Sequence, residues 1–177
     1  MRPLIIINHN YKFIIVLNPK SGCSTIRDMY IKLHLTEFPP TEQKIVESMG
    51  EAAFHASNAF SYMLDDTDSL YKYKNYFIFS FIRNTYNRIC SAFFNRYLNI
   101  QYELEFKGIE NQDTFMDFLN KLPTLKEGWD LHYKEQIIHS EINEYIDIEK
   151  KNIYDEFIRI YKKLNIDDKI IQKLLNL

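Results

Sequence analysis

Two short apolar runs open the chain. Leu4 to Ile7 and Phe13 to Leu17 are both strand-length, and Asn, His and Lys break them. Lys12 to Leu17 (KFIIVL) is rich in β-branched residues, which predicts a buried strand. It ends at the turn signal Asn18-Pro19, followed by the small polar stretch Lys20 to Thr25 (KSGCST). From Ile26 to Leu35 the apolar positions are Ile26, Met29, Tyr30 and Leu33, a helical spacing. The order strand, small-residue loop, helix then recurs. Tyr76 to Ile82 (YFIFSFI) reads as apolar on both faces, as a strand inside a parallel sheet does. It stops at Arg83-Asn84-Thr85. Tyr86 to Tyr102 then carries Ile89, Phe93, Tyr97 and Ile100 on one helical stripe.

The remaining pattern predicts a proline-containing loop over Phe38 to Thr41, helical pieces from Ile45 to Leu70, and a solvated loop around Asp65, Asp66 and Asp68. A short helix is expected over Thr114 to Leu122, a loop at Gly128-Trp129, and a last strand over Glu144 to Ile148. Tyr154 to Leu164 and Ile166 to Leu175 read as closing helices. Strands alternating with helices predict an α/β fold, a P-loop-like three-layer sandwich with a central, mainly parallel sheet flanked by helices. Residues 1–177 are one domain's worth of chain.

Composition narrows the function classes. Hydrophobic residues make up 46% and aromatics 15%, enough to fill a core. With 22 Lys and Arg against 24 Asp and Glu, no excess positive charge exists to coat a nucleic acid, so any anion site must be local. No run approaches the roughly 20 apolar residues of a membrane span. The N-terminus has no signal-peptide pattern, and fifteen Asn residues include no glycosylation acceptor. Two cysteines make no disulfide framework. A soluble cytoplasmic protein is the expected setting.

The first loop has the makings of an anion cradle. A helix N-terminus offers unpaired amides and partial positive charge, and small residues let the backbone approach a phosphate. In Pro19 to Thr25, Gly22 permits the tight turn, Ser24 and Thr25 carry hydroxyls, and Lys20 supplies a cation. The Walker order is absent, because the lysine precedes the glycine. In the second unit, Arg83 stands at the carboxyl end of a buried strand, the edge where open α/β sheets bind ligands. Its fork suits phosphate. Ser91 follows eight residues later, and Arg88 between them reads as a helix-surface charge or a structural ion pair.

Together these loops resemble the sulfotransferases that use 3′-phosphoadenosine-5′-phosphosulfate (PAPS). Leu17 to Thr25 (LNPKSGCST) resembles that family's 5′-phosphosulfate loop, and Phe81 to Phe94 (FIRNTYNRICSAFF) its 3′-phosphate motif. The wording is closest to the carbohydrate sulfotransferase branch, with Thr85 where that branch usually has proline. Asp130 to Gln136 (DLHYKEQ) and Tyr145 to Glu149 (YIDIE) are similar to later segments of the same branch.

The resemblance implies in-line sulfuryl transfer from PAPS to a hydroxyl of a small-molecule or glycan acceptor, leaving adenosine 3′,5′-bisphosphate and needing no metal. It implies that Lys20 stabilises the departing phosphate and that Ser21, Gly22, Cys23, Ser24 and Thr25 cradle the 5′-phosphate. Arg83 and Ser91 then take the 3′-phosphate. A histidine is the natural general base. His55, 28 residues before Arg83, is the first candidate, His132 the rival, and Glu51 the carboxylate alternative. His9 and His34 read as structural or surface, and His139 as helix-surface. Cys23 and Cys90 read as small-residue packing. Two other classes compete: a P-loop-like nucleotide or small-molecule kinase, and a non-catalytic nucleotide-binding module.

Overall fold

The computed structural model describes residues 4–37, 40–41, 43–44, 67–94, 115–121 and 136–176. Its centre is a four-stranded sheet in the order β1 (Leu4–Asn8), β2 (Phe13–Leu17), β3 (Phe77–Ile82) and β4 (Glu144–Asp147). β1 runs antiparallel to β2, with Ile6 opposite Ile15. The pairs β2/β3 and β3/β4 are parallel, with Ile15 opposite Phe79 and Phe81 opposite Ile146. Among the described residues the α-helices with defined bounds are α1 (Cys23–His34), α2 (Thr85–Ala92), α3 (Phe115–Lys121), α4 (Ile153–Lys163) and α5 (Asp168–Leu175). Residues 40, 41, 43 and 44 are helical too, so the loop expected over Phe38 to Thr41 has given way to helix by Pro40. The fold is thus α/β with a mainly parallel sheet, as the alternating pattern predicts.

Successive strand residues face opposite sides of the sheet. Ile6, Phe13, Ile15, Leu17, Phe79, Phe81 and Ile146 face one way, against Ile26, Met29 and Leu33 of α1, Phe157, Ile160 and Tyr161 of α4, and α5. Ile5, Ile7, Ile14, Val16 and Ile78 face the other way, against Leu70 and Ile142. Phe79 and Phe81 are fully buried. Ser80 between them is also fully buried, so β3 is not wholly apolar. Its hydroxyl donates to the Val16 carbonyl at 2.8 Å, which satisfies the group inside the sheet.

Three further local expectations are corrected. Thr67–Tyr73 is a 3-10 helix where a loop was expected around Asp68, and its Leu70 is buried on the second face of the sheet. His139 lies on a non-helical stretch, its ring Nδ1 accepting from the Glu141 amide at 3.2 Å. Arg88 is not a surface charge: it is 2% exposed. The buried side of α2 is wider than the expected stripe: Arg88 and Ala92 lie on it beside Phe93, which is buried just past the helix end. The bounds of α1, α3, α4 and α5 fall close to the expected ones, while the expected course of the second helix past Phe94, with Tyr97 and Ile100, the helical pieces from Ile45 to residue 66 and the Gly128-Trp129 loop lie outside the described residues. Each of α2, α4 and α5 is opened by a side-chain cap: Asn84, Asn152 and Asp167. Among the described residues no helix is long and apolar enough to cross a membrane.

Candidate active site

β2 and β3 lie side by side and in parallel, so the loops that leave their carboxyl ends emerge at the same sheet edge. The first loop is held by its own backbone: the Ser21 amide donates to the Asn18 carbonyl at 3.0 Å. Lys20 (φ 64) and Gly22 (φ 82) both adopt left-handed conformations, which tighten the turn into α1. A Cβ on Gly22 would lie 2.9 Å from Cδ1 of Ile153, a side-chain tip that can move aside, so it is the left-handed conformation that favours glycine here. Unlike α2, α4 and α5, α1 has no side-chain cap, and unlike α4 and α5 it has no acid in its first turn. Its first turn, with exposed Ser24 and Thr25, is chemically suited to an anion.

The second loop meets the first. Nη1 of Arg83 lies 3.5 Å from the Lys20 carbonyl, and Nη1 of Arg88 lies 3.5 Å from the Pro19 carbonyl. Two basic side chains from α2 and its approach therefore reach the backbone of a loop more than sixty positions away. Burial pulls the Arg88 pKa down, and burial does the same to Arg27 on α1. Arginine remains charged at neutral pH even so. Positive charge thus gathers at this edge of a chain whose formal net charge is −2.

Two carboxamides fix the arrangement. Oε1 of Gln136 accepts from the Arg83 amide at 2.7 Å and from the Ser21 hydroxyl at 3.3 Å, while Nε2 donates to the Arg83 carbonyl at 2.7 Å. Nδ2 of Asn18 donates to the Ser80 hydroxyl at 2.9 Å, and its Oδ1 accepts from the Ile137 amide at 2.5 Å. Asn18 had been legible only as a turn signal; its position after a buried strand was the available clue. Glu149 accepts from Nε of Arg83 at 3.1 Å and from Nδ2 of Asn87 at 2.6 Å. Asn87 carried no signal in the sequence.

Cys23 donates its thiol to the Asn18 carbonyl at 2.8 Å. Burial pushes its pKa up to about 11, against the opposing pull of Arg27 and Lys20. It is a neutral thiol at physiological pH, a packing and hydrogen-bonding group and not a nucleophile. Ser21 is fully buried with its hydroxyl on Gln136, and Ser91 is half-buried on α2. His55, His132 and Glu51 lie outside the described residues. Of the other histidines, His34 is fully buried and bonds through Nε2 to the Tyr161 hydroxyl at 2.8 Å, a structural role. His9 is exposed and pairs with the Tyr76 hydroxyl at 2.9 Å.

The sequence pattern of the sulfotransferase family matches residues 3–176. The chain belongs to the sulfotransferase family. It is a transferase of sulfuryl groups, and both loops lie within the matched span. No curated protein and no solved structure matches the chain. Among the described residues no group of three or more His, Cys, Asp or Glu side chains could gather a metal ion in this sulfotransferase.

Proposed function

We propose that this sulfotransferase uses PAPS as donor and a hydroxyl of a carbohydrate as acceptor, within one domain spanning 1–177 and in the cytoplasm. The observation that carries the donor reading is the approach of the Arg83 guanidinium to the Lys20 carbonyl, 3.5 Å apart, at one sheet edge. A donor with a phosphate at each end of its ribose needs two cationic loops that close. The uncapped first turn of α1 fits the 5′-phosphate, and the Arg83 fork fits the 3′-phosphate.

The donor supplies an activated sulfuryl group, and positioning with charge stabilisation performs most of the catalysis, as in phosphoryl transfer. In this reading the amides of Gly22, Cys23, Ser24 and Thr25 face the 5′-phosphate; Ser21 holds the loop closed through Asn18 and Gln136. Lys20 neutralises charge that builds on the departing phosphate. Arg83 and Ser91 hold the 3′-phosphate. His55 takes the acceptor proton, with His132 and then Glu51 as the alternatives. The chemistry needs no metal.

The test is a melting experiment with adenosine 3′,5′-bisphosphate against ATP with Mg²⁺. Specific ligands raise apparent stability. The bisphosphate is expected to raise the Tm and ATP to leave it nearly unchanged. The reverse result would assign the cradle to a kinase. Turnover of labelled PAPS with a glycan panel then separates a transferase acting on carbohydrates from one with another acceptor.

A further inference from the structure

The turn after β4 brings an acidic side chain against the cationic edge. The Ile148 amide donates to the Ile82 carbonyl at 3.1 Å, extending the parallel ladder by one step and setting Glu149 beside Arg83. The Glu149 amide is tied to Oδ1 of Asp147 at 3.0 Å, which fixes the turn. One oxygen, Oε1, accepts from both Arg83 Nε and Asn87 Nδ2. Both carboxylate and guanidinium are partly open to solvent, at 26% and 29%.

The geometry has a direction. Glu149 takes the Nε edge of the guanidinium, and Nη1 on the far end points at the Lys20 carbonyl. A planar guanidinium held at Nε has its orientation set, and its Nη fork stays turned toward the first loop. We propose that Glu149 is a positioning residue: it aims the Arg83 fork at the 3′-phosphate, with Asn87 fixing the carboxylate in turn. This rests on the reading that Arg83 holds that phosphate. The carboxylate does not touch the ligand. It lowers the local positive charge, and in return the fork is pre-aligned, so less ordering is needed at binding.

Titration calorimetry on the full chain tests this with two probes, adenosine 3′,5′-bisphosphate and adenosine 5′-phosphate. Glu149→Ala is expected to weaken the bisphosphate about tenfold, the scale of one charge-assisted hydrogen bond, and to leave the 5′-phosphate unchanged. Glu149→Gln keeps an oxygen that accepts both bonds and is expected to stay within about threefold of the parent. Arg83→Ala combined with Glu149→Ala is expected to bind no more weakly than Arg83→Ala alone, because the two residues act as one unit. A purely structural glutamate would weaken both probes alike and overturn the inference. Tighter bisphosphate binding by Glu149→Ala would also overturn it, since the carboxylate would then be a competitor of the phosphate. If Arg83→Ala keeps the full preference for the bisphosphate, the 3′-phosphate reading itself falls, and this inference with it. If Arg83→Ala loses that preference while Glu149→Ala keeps it, only the inference falls.

Discussion

The side-chain amide of Gln136 pairs with both backbone polar groups of Arg83, accepting from the N–H and donating to the carbonyl at 2.7 Å each. It continues for one residue, past the end of β3, the backbone pairing on the β2 side of that strand, and it touches the Ser21 hydroxyl as well. Gln136→Ala is expected to weaken adenosine 3′,5′-bisphosphate by about 1–3 kcal/mol, the range for stranding part-buried hydrogen-bonding groups. Gln136→Glu should be worse, because a second carboxylate oxygen would face the Arg83 carbonyl. Calorimetric titration of both variants checks the order.

In the proposed reaction Lys20 and Arg83 share one sheet edge but take different tasks. Lys20→Ala is expected to lower kcat by at least about a hundredfold while sparing bisphosphate affinity within a few-fold, as loss of a transition-state contact does. Arg83→Ala is expected to cost about 1–3 kcal/mol in bisphosphate binding. Equal effects of the two substitutions on kcat and on affinity would refute the division of labour.

The general base is tested by pH profiles. Removing the acting histidine should abolish the acidic limb of kcat/KM between about pH 6 and 8. His55→Ala is expected to do so. If its profile matches the parent's and that of His132→Ala does not, the role passes to His132. Parent-like profiles for both point to Glu51.

Acid stability is set away from the site. His34 is fully buried, and its Nδ1 pairs with Glu37 at 2.8 Å. Burial alone would raise the Glu37 pKa; contacts from His34, Asn8 and Asn10 outweigh it and hold the carboxyl below its ordinary range. A depressed carboxyl pKa stabilises the fold above the unfolded-state value and loses that contribution as pH falls through the folded one. Glu37→Gln is therefore expected to lower the Tm by about 2–4 °C at pH 7, the shift for roughly 1 kcal/mol. The gap between parent and variant should close in acid. A gap that widens below pH 4 would contradict the assignment.

The architecture was legible because burial writes itself into the sequence as periodicity. KFIIVL and YFIFSFI could hardly be anything but inner strands, and the amphipathic helices near the C-terminus were found to within a residue or two at most ends. The two loops were legible as small and basic. The segments that end in Gln136 and Glu149 stood out only by resemblance, and what these two side chains hold was not legible. Gln136 touches Ser21 across 115 positions and Arg83 across 53, and a carboxamide with distant partners leaves no periodic trace. Arg88 misled for a related reason: its charge suggests solvent, and only its buried position, with Nη1 reaching toward the Pro19 carbonyl, explains an arginine on the inner face of α2.

Asn18 has a consequence for how the protein is made. Its one carboxamide is satisfied only when Ser80, 62 positions on, and Ile137, 119 positions on, have both arrived. Contacts that span so much chain form late, after the loop entropy between them has been overcome. A refolding sample should therefore regain its helical signal before it regains ligand affinity, and a ribosome-bound chain that stops short of residue 137 should have no working cradle.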